Sequence, residues 1–209
     1  MDSADWDLTA INRELLEAER ALRDLGPAVA MFGSSRTAKD DSLYSEGQSL
    51  AKAIASAGYA VITGGGPGLM DAFNRGAQAG GSPSVGLGIR LPTETSPNPH
   101  IDIHLRFERF FTRKAVFVRY AQAFVVMPGG WGTLDELFEI LCLVNTGKAE
   151  PVPVILVGTT FWENLLQWLE HGPLARGTIG HADMRFIQSA RSEADVLRIL
   201  AERLPLTHG

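Results

Sequence analysis

Two glycine-rich turns and one cluster of acids carry most of the chemistry this sequence offers. The first turn lies in residues 62–77, ITGGGPGLMDAFNRGA. An apolar, strand-like run leads into Gly64, Gly65, Gly66, Pro67 and Gly68, and a helical pattern follows. Without side chains, backbone N–H groups can close on an anion, and the helix N-terminus adds partial positive charge. A tight structural turn would use the same residues. The spacing is not G-x-G-x-x-G, and no G-K-[ST] follows. Gly80–Arg90, where a dinucleotide site would want an acid, has no carboxylate. These absences argue against an NAD fold and an ATP-hydrolysing P-loop.

The second turn lies in residues 125–139, VVMPGGWGTLDELFE. Again a strand-like run meets glycines, here Gly129, Gly130 and Gly132. Thr133 and Glu136 stand at capping-box spacing, which predicts Thr133 as an N-cap. The helix behind, predicted over 133–146, is apolar nearly all round, so it reads as buried. Its acids, Asp135, Glu136 and Glu139, fall in the first two turns. Favourable placement at the positive helix end would explain them. Their gathering beside an anion-binding turn points instead to a site.

The elements that must hold these turns are legible from pattern. Leu8, Ile11, Leu15, Leu22 and Leu25 suggest an acidic helix in the first 25 residues, taken as an extension (1–25) to one domain over 26–209. Beyond it, short apolar runs (28–32, 59–63, 84–89, 101–105, 123–127 and 152–157) alternate with helical patterns (41–57, 69–80, 108–120, 133–146, 160–170 and 192–203). Strands alternating with helices, with near-continuous apolar strands, predict an α/β fold: a Rossmann-like, doubly wound parallel sheet. Ligands in such sheets sit at the carboxyl ends of the strands, where both glycine turns fall.

Composition narrows the class. The chain has 209 residues, 45% hydrophobic and 21% charged, with formal net charge −5. Disorder is excluded, and no apolar run approaches the ~18 residues of a spanning helix. Residues 1–25 hold seven acids against three bases, while residues 104–120 hold five Arg or Lys against one Glu. A nucleic-acid scaffold would be basic overall, so a small anionic ligand fits better. One cysteine, Cys142, and an acidic start suggest the cytoplasm. Cys142 reads as a buried small hydrophobe. The five histidines show no metal spacing, so neither a metal nor any other cofactor is expected. Arg106, Arg109 and Arg119 read as the solvated face of an amphipathic helix.

GGGPGLM, then Arg113-Lys114, then PGGWGTLDE occur in the order found in the LOG ("lonely guy") family of cytokinin riboside 5′-monophosphate phosphoribohydrolases, which this chain resembles over residues 28–200. Some relatives carry a "lysine decarboxylase" label. The resemblance implies a Rossmann-like fold and hydrolysis of the N-glycosidic bond of a nucleoside monophosphate. It implies Arg113 and Glu136 as the catalytic pair. Gly129, Gly130, Trp131, Gly132 and Thr133, with Lys114, would hold phosphate and ribose. Gly33 and Ser34, after the first strand, together with Gly65, Gly66 and Glu94, would complete the substrate site. Two positions differ from plant-type members and bear on cytokinin specificity: Phe110-Phe111-Thr112 replaces a Met-His context, and Asp71 replaces Gly.

Three functions compete. A phosphoribohydrolase acting on AMP or a cytokinin riboside monophosphate leads. A carrier of nucleotide or molybdenum cofactor, sharing the fold, is the alternative. A pyridoxal-dependent decarboxylase would need a Schiff-base lysine, and Lys39, Lys52, Lys114 and Lys148 offer no recognisable setting for one. No nucleic-acid or membrane partner is expected. The apolar helix near 133–146 predicts a homo-oligomer, at least a dimer.

Overall fold

The computed structural model describes residues 6–92 and 96–206. Seven strands form one parallel sheet in the order β4-β3-β2-β1-β5-β6-β7. The strands are β1 (Ala28–Phe32), β2 (Ala60–Thr63), β3 (Ser84–Ile89), β4 (Ile103–Phe107), β5 (Ala123–Val126), β6 (Val154–Val157) and β7 (Ile187–Ala190). The helices are α1 (Leu8–Leu22), α2 (Ser42–Ser56), α3 (Leu69–Gly80), α4 (Phe110–Tyr120), α5 (Trp131–Asn145), α6 (Thr159–Leu169), α7 (His181–Met184) and α8 (Glu193–Arg203), with a π-turn at Glu170–Leu174. The doubly wound α/β fold expected from the alternation is therefore present. The seventh strand has no long apolar run, and its Ile187–Ala190 segment (IQSA) escaped the pattern.

Side-chain alternation along the strands separates two core layers. Ala28, Ala30 and Phe32 face α1, α4, α5 and α6, packing with Leu22, Phe117, Leu137 and Trp162. Val29 and Met31 face α2, α3 and α8, packing with Ile54, Phe73 and Leu200. Both faces of the central strands are covered, which is why β1, β2 and β5 are apolar at every position but one, the buried Thr63.

Strand order reverses between β1 and β5. That reversal opens a crevice at the carboxyl edge, where open α/β sheets take their ligands. Three turns meet there. The Ser34 N–H donates to the Pro128 carbonyl at 3.0 Å, and the Leu69 N–H donates to the Ser34 carbonyl at 2.9 Å. Gly68 adopts φ +68°, and a Cβ there would fall 2.5 Å from the Ser34 carbonyl oxygen, so glycine alone fits. The first glycine turn is held from below by Asn74, fully buried. Its amide nitrogen donates to Ser84 Oγ at 2.8 Å and its oxygen accepts from Thr63 Oγ1 at 2.6 Å and Asn98 Nδ2 at 2.9 Å.

Three local expectations change. Gly130, with no side-chain cap, starts α5, and Thr133 sits inside the helix, packed under Gly129. The backbone enters the helix two residues early, and Gly129 leaves room for the Thr133 side chain, which a Cβ there would overlap. The same helix is buried on one face only: Glu136, Leu137, Ile140 and Val144 are inside, while Trp131, Phe138 and Cys142 are exposed. Thus Cys142 is not a core residue; it faces away from the sheet that buries its neighbours. On α1, Leu8 and Leu15 are exposed, and Glu14, Ala18 and Leu22 form the buried stripe.

Candidate active site

A helix that follows a parallel strand begins at the strand's carboxyl edge. Both α4 and α5 start there, and both lie on the same face of the sheet. Arg113 is in the first turn of α4, and Glu136 is in the second turn of α5. Arg113 Nη2 donates to Glu136 Oε1 at 3.2 Å, with side chains only 12% and 7% exposed. The guanidinium lies over the rings of Phe110 and Phe117, at 5.3 and 5.8 Å from their centroids. It also borders the first glycine turn: a Cβ on Gly64 would stand 3.9 Å from Arg113 Nη1. The two glycine turns and the pair thus share one edge of the sheet.

The electrostatics of the pair are unusual. Burial pushes the Glu136 carboxyl up from 4.5 to about 7, against the downward pull of Arg113 and then Lys114. Glu139 and Asp135 add to the rise. Burial likewise lowers the Arg113 guanidinium below the ordinary arginine value, with Glu136 opposing it. Arg113 Nε is a buried donor with no partner among the described residues. A buried N–H left unmatched costs about 1–3 kcal/mol, a cost that a bound acceptor would remove.

Other residues from the sequence fall as follows. Gly33, Ser34, Gly65, Gly66, Gly129 and Gly130 lie in the three turns at the carboxyl edge, and Gly132 is the second residue of α5. Gly130 and Gly132 have open space where a Cβ would stand, whereas Gly33 and Gly129 are packed against Leu69 and Thr133. Lys114 Nζ is engaged by Asp135 Oδ1 at 3.0 Å and Glu139 Oε2 at 3.1 Å. Burial works against its charge, but those two hydrogen bonds prevail and raise its pKa. Trp131 is 88% exposed at the start of α5. Asp71, buried, accepts from the Tyr44 hydroxyl and pairs with Lys39 at 3.4 Å. Glu94 lies outside the described residues. Arg109 is not on a solvated face: it is 8% exposed and paired with Glu14 at 2.9 Å, because α1 folds back onto α4. Nothing in the pattern of either helix announced that contact. Among the described residues no group of three or more His, Cys, Asp or Glu gathers as a metal site would require. No helix among them is long and apolar enough to cross a membrane.

Comparison with known proteins bears on the family and the fold. Residues 70–200 match a family model described as "possible lysine decarboxylase". The chain is 29% identical over 160 residues to cytokinin riboside 5′-monophosphate phosphoribohydrolase LOG of Oryza sativa subsp. japonica, covering 75% of this chain and 65% of that protein. It is 26% identical over 183 residues to LOG2 of Arabidopsis thaliana, which bears the same enzyme name, covering 85% and 84%. Among solved structures, the structural-genomics target TM1055 superposes with a TM-score of 0.64 at 25% identity, covering 84% of this chain and 99% of that one. The molybdenum cofactor carrier protein of Chlamydomonas reinhardtii gives 0.63 at 21%, covering 86% and 99%, a likeness of fold alone. With the family model spanning well over half of its residues, the chain belongs to the LOG family.

Proposed function

We propose that this protein hydrolyses the N-glycosidic bond of a nucleoside 5′-monophosphate, AMP or a cytokinin riboside monophosphate, to free base and ribose 5-phosphate. The observation that carries the reading is the buried Arg113–Glu136 pair beside two glycine turns, with Arg113 Nε unmatched. Breaking the C1′–N bond sends its electron pair to the base and leaves an oxocarbenium-like sugar. Glu136, as carboxylate, stabilises that charge and takes a proton from the water whose oxygen bonds to C1′. The proton passes on to the departing base. A carboxyl near 7 is well matched to proton transfer at neutral pH, worth about 10²–10⁴-fold. Enzymes commonly need 10⁶-fold or more, at least ~8 kcal/mol. The remainder is assigned to phosphate binding, used to orient and strain the ribose. Arg113 and the N–H groups of the Gly129–Thr133 segment at the start of α5 make that grip, and the Gly33-Ser34 and Gly65-Gly66 turns stand beside it as its wall, since the Ser34 and Gly65 N–H groups already donate to the Pro128 carbonyl and to Thr63 Oγ1. Lys114, held by two carboxylates, acts through its field on Glu136 rather than by direct contact.

The test is incubation with AMP and isopentenyladenosine monophosphate, following free base by chromatography. Arg113→Ala and Glu136→Ala should each lose about 10²-fold or more in kcat/KM with the fold intact. Adenosine should be a poor substrate, and kcat/KM should rise with pH through about 7 as Glu136 ionises. Comparable turnover of adenosine and AMP, or activity in Glu136→Ala, would refute the mechanism. Nucleotide binding without base release would favour a carrier. We also propose a cytoplasmic homo-oligomer of at least two chains, supported by the exposed apolar residues Phe110 and Phe111 at the start of α4 and Trp131 and Phe138 on α5. A monomer by light scattering at micromolar concentration would contradict it.

A further inference from the structure

One buried carboxylate has no part in that mechanism, yet it sits under the helix that carries Arg113. Glu14, on α1, is 7% exposed. Its oxygens accept from the Glu108 N–H at 3.2 Å, from Arg109 Nη1 at 2.9 Å and from the Thr112 hydroxyl. Arg109 and Thr112 are themselves buried. Helix α4 lacks a side-chain cap of its own, with Arg109 at its N-cap position. A carboxylate from another helix therefore occupies the positive end of α4. Thr112 is the residue immediately before Arg113. Outside this cluster, Trp6 stacks on Phe111 with ring centroids 6.2 Å apart.

Ala18 and Leu22 already give α1 apolar contact with the core. A buried charged cluster adds little net stability, because desolvation offsets its attraction. What it adds is direction: three donors around one carboxylate fit in one arrangement of the α4 first turn. We infer that Glu14 is a positioning residue, locking that turn through Arg109 and Thr112 so that Arg113 is set against Glu136. The N-terminal helix is then a working part of the site. This rests on the reading of Arg113 and Glu136 given above.

The test uses the full chain. A double variant, Glu14→Leu with Arg109→Met, removes both charges together and leaves neither buried alone. Glu14→Gln is a milder companion that keeps the shape and one accepting oxygen. Folding is checked by circular dichroism. AMP turnover is measured beside a carboxyl-carbon NMR titration of Glu136, assigned by its disappearance in Glu136→Gln. The expected result is a fall in kcat of about tenfold or more with KM changed less than about threefold. The Glu136 midpoint should rise, because Arg113, the cation that lowers it most, is no longer held close. Lys114, Asp135 and Glu139, the other charges acting on Glu136, remain in both variants. Wild-type kcat in a folded variant overturns the inference. So does a loss of kcat with an unmoved Glu136 midpoint, which marks general destabilisation. Arg113→Ala separates the two readings: if it turns AMP over normally, the catalytic role fails, while the Glu136 midpoint still reports whether Glu14 sets Arg113.

Discussion

Replacing Glu136 by glutamine should stabilise the fold at alkaline pH and not at acid pH. In the folded chain this carboxyl titrates at about 7, against an ordinary value of 4.5. Between those values the folded state keeps a proton that the unfolded chain has released. Stability therefore falls with rising pH across that window, since unfolding releases a proton there. The contribution is fully present below 4.5 and is lost as pH rises through 7. Each unit corresponds to 1.36 kcal/mol, so the gap amounts to about 3 kcal/mol. Against a typical total of about 5–15 kcal/mol that is readily measured. Glutamine mimics the protonated acid at every pH, leaving the Arg113 environment in its acid-side state. Urea unfolding of both proteins, at about pH 4 and about pH 8, gives the difference between them. That difference should shift toward the variant by about 3 kcal/mol on going to the higher pH. A difference that does not change with pH would mean that Glu136 is solvated and ordinary, and the case for a tuned base would fall with it.

Two further outcomes follow from other parts of the molecule. Asn74→Ala removes four hydrogen bonds and leaves Thr63, Ser84 and Asn98 short of partners beneath the first glycine turn. It should cost about 2–4 kcal/mol in chemical unfolding, and an unchanged midpoint would contradict the network. Cys142 is exposed on the outer face of α5. In a monomer it should react with a thiol reagent without denaturant. Protection in the native protein, released when the protein dissociates on dilution, would place that face of α5 between subunits.

Much of the frame was legible because burial leaves a strong mark on sequence. β1, β2 and β5 are covered on both faces and read as unbroken apolar runs. The helix after GGGPG reads from sequence at its observed bounds, Leu69–Gly80, and Gly68 and Gly81 punctuate both ends with positive φ. β7 leaves no such run, because Ile187–Ala190 is an edge strand with polar residues at two positions, and edge strands are only half covered. Capping-box spacing points to Thr133, and the chain turns at Gly130 instead, because that spacing tests residue types and not where the chain turns. Helix α5 looked buried all round because composition cannot say how many of its faces the sheet reaches.

The turns at the carboxyl edge and the acids behind them were fixed locally: glycine permits the backbone geometry, and strand–helix alternation sends every such turn to the same side. The fate of the two arginines was not. Arg109, at the N-cap of α4, and Arg113, in its first turn, stand four residues apart, and their spacing is the same whether they face solvent, a structural carboxylate or a substrate. One meets Glu14, 95 residues away, and the other meets Glu136, 23 residues away. Both partners arrive on other helices, through the packing of α1 and α5 on one face of the sheet. Desolvation then sets the charges, and only an assembled fold can exclude water from both pairs.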